Sequence, residues 1–228
     1  MDESVDCFVH ECLMTGNTSL YSGSAIYKKA NSLCGIGQTT ITGNASSEGM
    51  ATVYTDSGWS CLTIDASLIT LNTGAAFGAG GDLDCDAELT CTNLYGNSSD
   101  WTPPIDSQAH LNGNMSADPL FCGAGVGDYG LRSGSPGAPA NNECGRLIGC
   151  FDVGCWCCII RGDIDYNQFG PDIADLVFLV NYMFSGGPLP VCTEACDIDG
   201  DGLGPDIADL VHLVSYMFSG GPPPAVCD

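Results

Sequence analysis

A tandem repeat near the C-terminus constrains this chain more than any other feature of its sequence. Residues 163–188 and 197–222 align without gaps at an offset of 34, and only six of the 26 aligned positions differ. Each copy begins with alternating acidic residues, continues through the shared sequence GPDIADL and ends at Gly-Gly-Pro. The duplication therefore predicts two equivalent structural units that pack together.

The second copy begins DIDGDGLGPDIADL, which is the pattern of the first half of an EF-hand calcium loop. Oxygen ligands at alternate positions suit Ca²⁺, Gly202 permits the sharp turn at position 6, and a carboxylate from the following helix closes the cage. The predicted ligands are Asp197, Asp199, Asp201, the Leu203 carbonyl and Asp209.

The first copy, DIDYNQFGPDIADL, predicts a second ion in an equivalent loop. Its predicted ligands are Asp163, Asp165, Asn167, the Phe169 carbonyl and Asp175. Gln168 stands where Gly is expected, and a non-Gly residue at positive φ costs about 1 kcal/mol. Asn167 is also a neutral ligand. We therefore expect two calcium ions, with the second loop binding more tightly.

Each loop should lead into a short amphipathic helix. The helices are predicted from Ile173 to Phe184 and from Ile207 to Phe218, with Asp172 and Asp206 as N-caps. Capping alone does not explain the oxygen-bearing side chains, Asp or Asn, at positions 1, 3 and 5 of both copies, so the calcium interpretation is preferred. The apolar residues expected in the core are Ile173, Leu176, Val177, Val180, Met183, Phe184 and their counterparts Ile207, Leu210, Val211, Val214, Met217 and Phe218.

Two helical positions differ between the copies and share another face. They hold Phe178 and Asn181 in the first copy and His212 and Ser215 in the second. Variation on an otherwise repeated helix makes these four residues the predicted partner-binding set, although a solvated surface role for His212 is the simpler interpretation.

The N-terminal half carries a weaker repeat marked by asparagines. Asn17, Asn44, Asn72 and Asn97 each end a short apolar segment, at spacings of 27, 28 and 25 residues. Second strands are expected at 25–27 and 52–54, and a third at 82–85. A period of about 25 residues with an Asn at one turn predicts a parallel β-solenoid whose stacked amides satisfy neighbouring backbone groups. The alternative is a β-sandwich with Asn-rich turns.

Charge and cysteine content limit the partners and the compartment. The net charge is −23, which repels phosphate backbones, so no nucleic acid partner is expected; the chain also lacks an apolar run long enough to span a membrane. Fifteen cysteines favour disulfides in an oxidising compartment over a zinc site. At least one of Cys192 and Cys227 is expected to pair with Cys157, Cys158 or Cys196, and the odd total leaves at least one thiol unpaired within the monomer.

The loop–helix repeats resemble the dockerin type I domain over residues 162–228. The resemblance rests on Asp163, Asp165, Asn167 and Asp175, and on Asp197, Asp199, Asp201 and Asp209. It implies a small all-α domain with two EF-hand-like loops that binds cohesin modules and attaches secreted proteins to assemblies or cell surfaces. Two features depart from the family pattern: Gly-Pro-Asp makes each loop one residue longer, which puts the closing Asp at position 13, and the dipeptides that cohesins commonly recognise are not obvious. The resemblance therefore supports calcium binding more strongly than cohesin binding.

Roughly residues 5–150 resemble the last coils of right-handed parallel β-helix proteins of the pectate-lyase-like superfamily. The matching segments are ADPLFC, GDYGL, GSP and CGRLIG, between Ala117 and Gly149. The expected organisation is a truncated β-helix over 1–150, a Cys-rich joint over 151–161 and the calcium-binding domain over 162–228. Met1-Asp2-Glu3 does not begin a signal peptide, so we expect this chain to be the C-terminal part of a longer secreted protein or the product of processing that removed its front.

Catalysis by this chain is not expected. Asp82, Asp84 and Asp86 could form a carboxylate cluster, but a solvated strand or turn explains them as well. We predict an extracellular or cell-surface calcium-binding anchor, with polysaccharide as a further candidate partner. Two alternatives stay open: a polysaccharide-degrading enzyme whose catalytic coils lie upstream, acting on O-glycosyl bonds, and a structural adhesion protein.

Overall fold

The computed structural model describes residues 7–29, 32–47, 50–58, 61–83 and 87–227. Its contacts divide the chain into two compact units. The first comprises Met1–Pro119 and Pro139–Cys150, and the second comprises Leu120–Ala138 and Phe151–Asp228. Leu120–Ala138 was predicted to belong with the β-strands, whereas in the structure this segment belongs to the same compact unit as the loop–helix repeats.

The first unit consists of short strands. They are β1 (Cys7–His10), β2 (Leu13–Thr15), β3 (Thr18–Ser19), β4 (Ile26–Lys28), β5 (Cys34–Gly37), β6 (Thr40–Thr42), β7 (Ala45–Ser46), β8 (Ala51–Gly58), β9 (Leu62–Asp65), β10 (Leu68–Thr70), β11 (Ala75–Leu83), β12 (Ala87–Thr90) and β13 (Asn93–Tyr95). Every pairing among them is parallel, in the sheets β1-β5-β9-β12, β2-β6-β10-β13, β4-β8-β11 and β3-β7.

This topology fits a parallel β-helix, because consecutive strands are distributed in turn among sheets that each pair in parallel. It excludes the β-sandwich alternative for this unit, since sandwiches are built from antiparallel strands. The sheet containing β1 was not predicted. The third strand expected at 82–85 is also misplaced, because β11 begins at Ala75, and residues 84–86 lie outside the described part.

Apolar residues stack in register inside this unit. Met14, Ile41, Ile69 and Leu94 are Cα partners along one sheet, as the spacing to each Asn predicted. Val53 and Phe77 form a similar row in another sheet. These buried residues form one continuous core, so burial of one strand face holds successive coils together.

The predicted asparagine ladder is confirmed. The Nδ2 of Asn17 donates to Oδ1 of Asn44 at 2.9 Å, Asn44 donates to Asn72 at 3.0 Å, and Asn72 donates to Asn97 at 2.8 Å. Asn44 and Asn72 are almost fully buried, and their side chains also bond to backbone groups. The ladder therefore satisfies polar groups that the turns would otherwise leave unpaired.

The second unit contains a small antiparallel pair and two helices. Its elements are β14 (Phe121–Gly123), β15 (Asp128–Leu131), α1 (Ile173–Ser185) and α2 (Ile207–Ser219). Both helices begin where predicted and end one residue later than predicted. Asp172 and Asp206 are their N-caps, and Gly186 and Gly220 end them in the left-handed conformation.

The cysteines around the repeats confirm the expected stapling. Cys157 pairs with Cys192, Cys158 pairs with Cys227, and Cys122 pairs with Cys155. Cys196 is a free thiol with no exposed surface, and burial raises its pKa to about 12. Disulfides therefore compensate for the small core of this unit. Among the described residues, no helix combines the length and apolar character that a membrane span requires.

Candidate metal centres

Two acidic triads lie at the starts of the two helices. In the first loop, Asp163, Asp165 and Asp175 bring carboxylate oxygens within 4.8 Å of one another. In the second loop, Asp197, Asp199 and Asp209 do the same. In each triad the first and last acids are buried and the middle one is half-buried. The structure thus brings together six of the ten predicted ligands as two equivalent sets.

Backbone hydrogen bonds hold the first acid of each loop in place. Asp163 accepts from the N–H of Asn167 and of Gln168, both at 2.9 Å. Asp197 accepts in the same way from Asp201 and Gly202, at 3.2 and 3.1 Å. The loop therefore wraps its own amides around the first carboxylate, as the alternating acidic pattern requires.

The last acid of each triad joins the loop to its helix. Asp175 accepts from the N–H of Asp172 at 2.8 Å and from the N–H of Ile164 at 2.7 Å. The first bond completes the capping box of α1, and the second reaches back to the start of the loop. Asp209 makes the equivalent bonds, both to the N-cap of α2 and to the start of its own loop.

Each loop is one residue longer than the usual dockerin loop, yet its last acid, Asp175 or Asp209, still lies within 4.8 Å of the other two acids. The chain passes so close to the last acid that a Cβ on Gly170 would lie 2.7 Å from Oδ2 of Asp175, and one on Gly204 would lie 2.3 Å from Oδ2 of Asp209. The Gly-Pro-Asp sequence therefore brings the loop backbone against the closing carboxylate, where only glycine fits.

The predicted difference in backbone strain is present. Gln168 has φ of 71° and Tyr166 has φ of 61°, whereas the equivalent residues of the second loop are Gly202 and Gly200. Both positions need the left-handed conformation, which side chains disfavour. The first loop therefore carries strain that the second does not.

The remaining predicted ligands lie outside the two triads, and several of their oxygens accept hydrogen bonds from the protein itself. The Oδ1 of Asn167 accepts from Phe169 N–H at 2.7 Å, and the Oδ1 of Asp201 accepts from Leu203 N–H at 2.8 Å. Asp201 is exposed and lies outside the second triad. The Leu203 carbonyl accepts a hydrogen bond from Arg132.

The electrostatics of the triads favour a cation. Burial raises the pKa of Asp209 to about 6 and raises the pKa of Asp175 above its ordinary value, with neighbouring aspartates contributing in the same direction. A divalent ion would relieve this repulsion. All the donors are oxygens, which are the ligands of a hard cation such as Ca²⁺, so the residues fit that ion.

Arg132 and Arg161 were not identified from the sequence as part of this region. Arg132 lies 3.0 Å from the carboxylate of Asp197, and Arg161 lies 3.3 Å from it. The available signal was their rarity, since a chain of net charge −23 has only five basic residues. Their distance in sequence from the loops concealed the contact.

The apolar faces of the helices differ from the prediction. Leu179 and Leu213 are fully buried between the helices, with Leu176 and Met183 packed beside them. A stripe along each helix that was assigned to the core is exposed instead. The two stripes are Ile173, Val177, Val180 and Phe184 on α1, and Ile207, Val211, Val214 and Phe218 on α2. Apolar residues surround most of each helix, so their spacing did not define a unique buried face.

The four predicted partner-binding residues lie in different surroundings. Phe178 is partly buried against the helix core, while Asn181 is exposed. The Nε2 of His212 lies 3.1 Å from the carbonyl oxygen of Pro222, and Ser215 is half-buried. Their role in partner binding stays a prediction.

Comparisons with known proteins give no assignment. No protein-family model matches the chain, and neither a curated protein nor a solved structure is significantly similar to it.

Proposed function

We propose that this chain is a calcium-dependent anchor of the dockerin kind, in which a loop–helix module attaches a right-handed β-helix to a protein partner outside the cell. The observation that carries the proposal is the duplication of one arrangement: an acidic triad closed by a helix N-terminus, beside an exposed apolar stripe. Bound calcium would supply positive charge that offsets most of the negative charge of each triad.

Each triad serves as a clamp between its loop and its helix. Asp175 and Asp209 belong to both the triad and the capping box, so an ion held by the triad would also fix the first turn of the helix. The position of the apolar stripe depends on that turn. Calcium binding is therefore coupled to presentation of the stripe.

The apolar stripes favour a protein partner. Ile173, Val177 and Phe184 are 58–63% exposed, and the equivalent residues of α2 are exposed to nearly the same degree. Contiguous exposed apolar surface marks interaction sites. The disulfides of the same unit support an extracellular or cell-surface location.

Calorimetric titration of the full chain with Ca²⁺ tests the proposal. We expect two ions per chain. Asp163→Asn should remove binding at the first loop and Asp197→Asn at the second, because each replaces a charged ligand by a neutral one. Asp106→Asn is the matched control, since Asp106 is an exposed acid in the first unit. Absence of calcium binding by the unmodified chain would contradict the proposal.

A further inference from the structure

Four charged side chains are buried together beside the second loop. Arg132, Arg161, Glu194 and Asp197 are at most 5% exposed. These four side chains carry two positive and two negative charges and balance one another, whereas Asp199 and Asp209, the other two acids of the second triad, add negative charge beside them. Burying a charge is costly unless it is paired and hydrogen-bonded, so this arrangement requires a structural or functional reason.

Arg132 uses its planar fork to hold the second loop. Its Nε donates to Glu194 at 3.1 Å, and its Nη1 donates to the Gly204 carbonyl at 2.8 Å. Its Nη2 lies 3.0 Å from Oδ2 of Asp197 and also donates to the Leu203 carbonyl. The Asp197 carboxylate and the Leu203 carbonyl are both predicted calcium ligands, so the Arg132 guanidinium already binds two of the predicted ligands of the second loop.

The segment carrying Arg132 is fixed against the same loop. A Cβ on Gly134 would lie 2.7 Å from the Gly202 carbonyl oxygen, so the two backbones are in direct contact. The Thr193 hydroxyl donates to the Cys122 carbonyl at 2.6 Å, and Cys122 is bonded to Cys155. Arg132 is therefore held in place at the loop.

Among the described residues, no cation contacts the first loop as Arg132 contacts the second. Glu194 corresponds, at the repeat offset of 34, to Ile160, which is uncharged. In the part of the chain that the structure describes, no Lys, Arg or His forms an ion pair with Asp163, Asp165 or Asp175. The two loops are therefore similar in sequence, but only the second has arginine side chains against its first acid.

We propose that Arg132 is a built-in cation of the second loop, so that the second repeat keeps its fold without calcium while the first repeat depends on the ion. This inference rests on the proposed calcium function. It reverses the order of affinity expected from the loop sequences, because the guanidinium offsets the negative charge that would attract an ion to Asp197. Calcium then controls mainly the first repeat and its apolar stripe.

Hydrogen exchange of the full chain, read by mass spectrometry with calcium and with excess chelator, tests the asymmetry without any substitution. We expect chelator to accelerate exchange in peptides covering 163–185 by at least about ten-fold, while peptides covering 197–219 change by less than about two-fold. Equal acceleration in both repeats would overturn the inference and leave the proposed calcium function intact. Absence of calcium binding would overturn both.

Arg132→Met and Arg132→Lys identify the residue responsible. Methionine removes the charge at similar length, so the second repeat should become chelator-sensitive and its affinity for calcium should rise by roughly ten-fold. Lysine keeps the charge but not the fork, so it should protect the second repeat in part. Arg146→Met is the matched control, because Arg146 pairs with Asp65 in the first unit. A second repeat that stays insensitive to chelator in Arg132→Met would contradict the assignment, and Arg132→Lys tests it if the methionine variant does not fold.

Discussion

At the scale of single residues, backbone conformation distinguishes the two loops. Gln168 lies at φ of 71° where the second loop has Gly202. Gln168→Gly should raise the free energy of unfolding of the first repeat by up to about 1 kcal/mol, because relief of strain exceeds the added flexibility of glycine in the unfolded chain. Chemical denaturation in the presence of calcium measures the change.

Gly202→Gln is the reciprocal substitution and should be more damaging than the strain alone. A Cβ at this position would lie 2.5 Å from the backbone nitrogen of Gly134. A stabilising or neutral effect of Gly202→Gln would show that this close approach is not required.

The surface ion pair between Arg146 and Asp65 makes the stability of the first unit depend on pH. Burial opposes the shift, but Arg146 and the Thr90 hydroxyl together hold the pKa of Asp65 below its ordinary value. A lowered folded-state pKa stabilises the protein above the unfolded pKa, and that stabilisation is lost as pH falls through the folded pKa. Because both side chains are over 40% exposed, solvent screening keeps the contribution below about 1 kcal/mol.

Denaturation of wild type and Arg146→Met across acidic pH checks this contribution. The variant should be slightly less stable at pH 7, and the difference should shrink below about pH 4, where Asp65 of the unfolded chain begins to protonate. A difference that grows with acidification would contradict the assignment of the ion pair.

At the scale of elements, the exposed stripes and the four varying positions give two competing partner surfaces. Val177→Asp combined with Val211→Asp should abolish binding of a cohesin-like partner, because each charge would be buried in an apolar contact. Helicity should stay unchanged, since both residues are about 61% exposed. Calorimetry against a panel of cohesin modules, with circular dichroism as the folding check, measures both effects.

Asn181→Asp is the comparison variant for that experiment. Asn181 is exposed and belongs to the set chosen from sequence variation. If it abolishes binding while the valine variants do not, the partner surface is the varying face and the stripes serve another purpose.

The asparagine ladder makes a second prediction at this scale. Asn72→Ala should lower the free energy of unfolding of the first unit by about 3 kcal/mol, because it removes the acceptor of the Asn44 N–H and the side-chain donor to the Ile41 carbonyl and to Oδ1 of Asn97. Asn17→Ala, at the exposed end of the ladder, should cost about 1 kcal/mol. Equal effects would show that burial of the amides is unimportant.

Local signals predicted some elements well and others poorly. Gly-Gly-Pro and the capping aspartates fixed the helix ends to within one residue, because capping is a short-range property. The asparagine spacing gave one sheet and its register. The sheet containing β5 was missed because Cys34–Gly37 contains two glycines and no clear alternation. Residue contacts such as Arg132 with Asp197 depend on tertiary packing, which spacing does not encode.

At the scale of the whole molecule, disulfides link distant parts of the second unit. Replacing both Cys157 and Cys192 by Ser opens a covalent link across 35 residues. The free energy of unfolding of this unit should fall by about 3–4 kcal/mol, since the unfolded chain regains the freedom that the link removes. Differential scanning calorimetry should show the corresponding transition shifted to lower temperature.

The same pair of substitutions in the first unit provides the comparison. Replacing Cys91 and Cys144 by Ser removes a link across 53 residues there and should shift the other transition. If either double variant shifts both transitions equally, the two units unfold as one cooperative block.

The amides of the ladder all point the same way along the stack. From Asn17 to Asn97 each Nδ2 donates to the next side chain, and the last one donates to the Asp100 carboxylate at 2.7 Å. Aligned dipoles polarise one another, and an anion at the donor end stabilises the alignment. The hydrogen bonds of the ladder therefore all run in one direction. Asp100→Asn should weaken the hydrogen bonds between asparagines several coils away from residue 100, an effect that a single contact would not transmit.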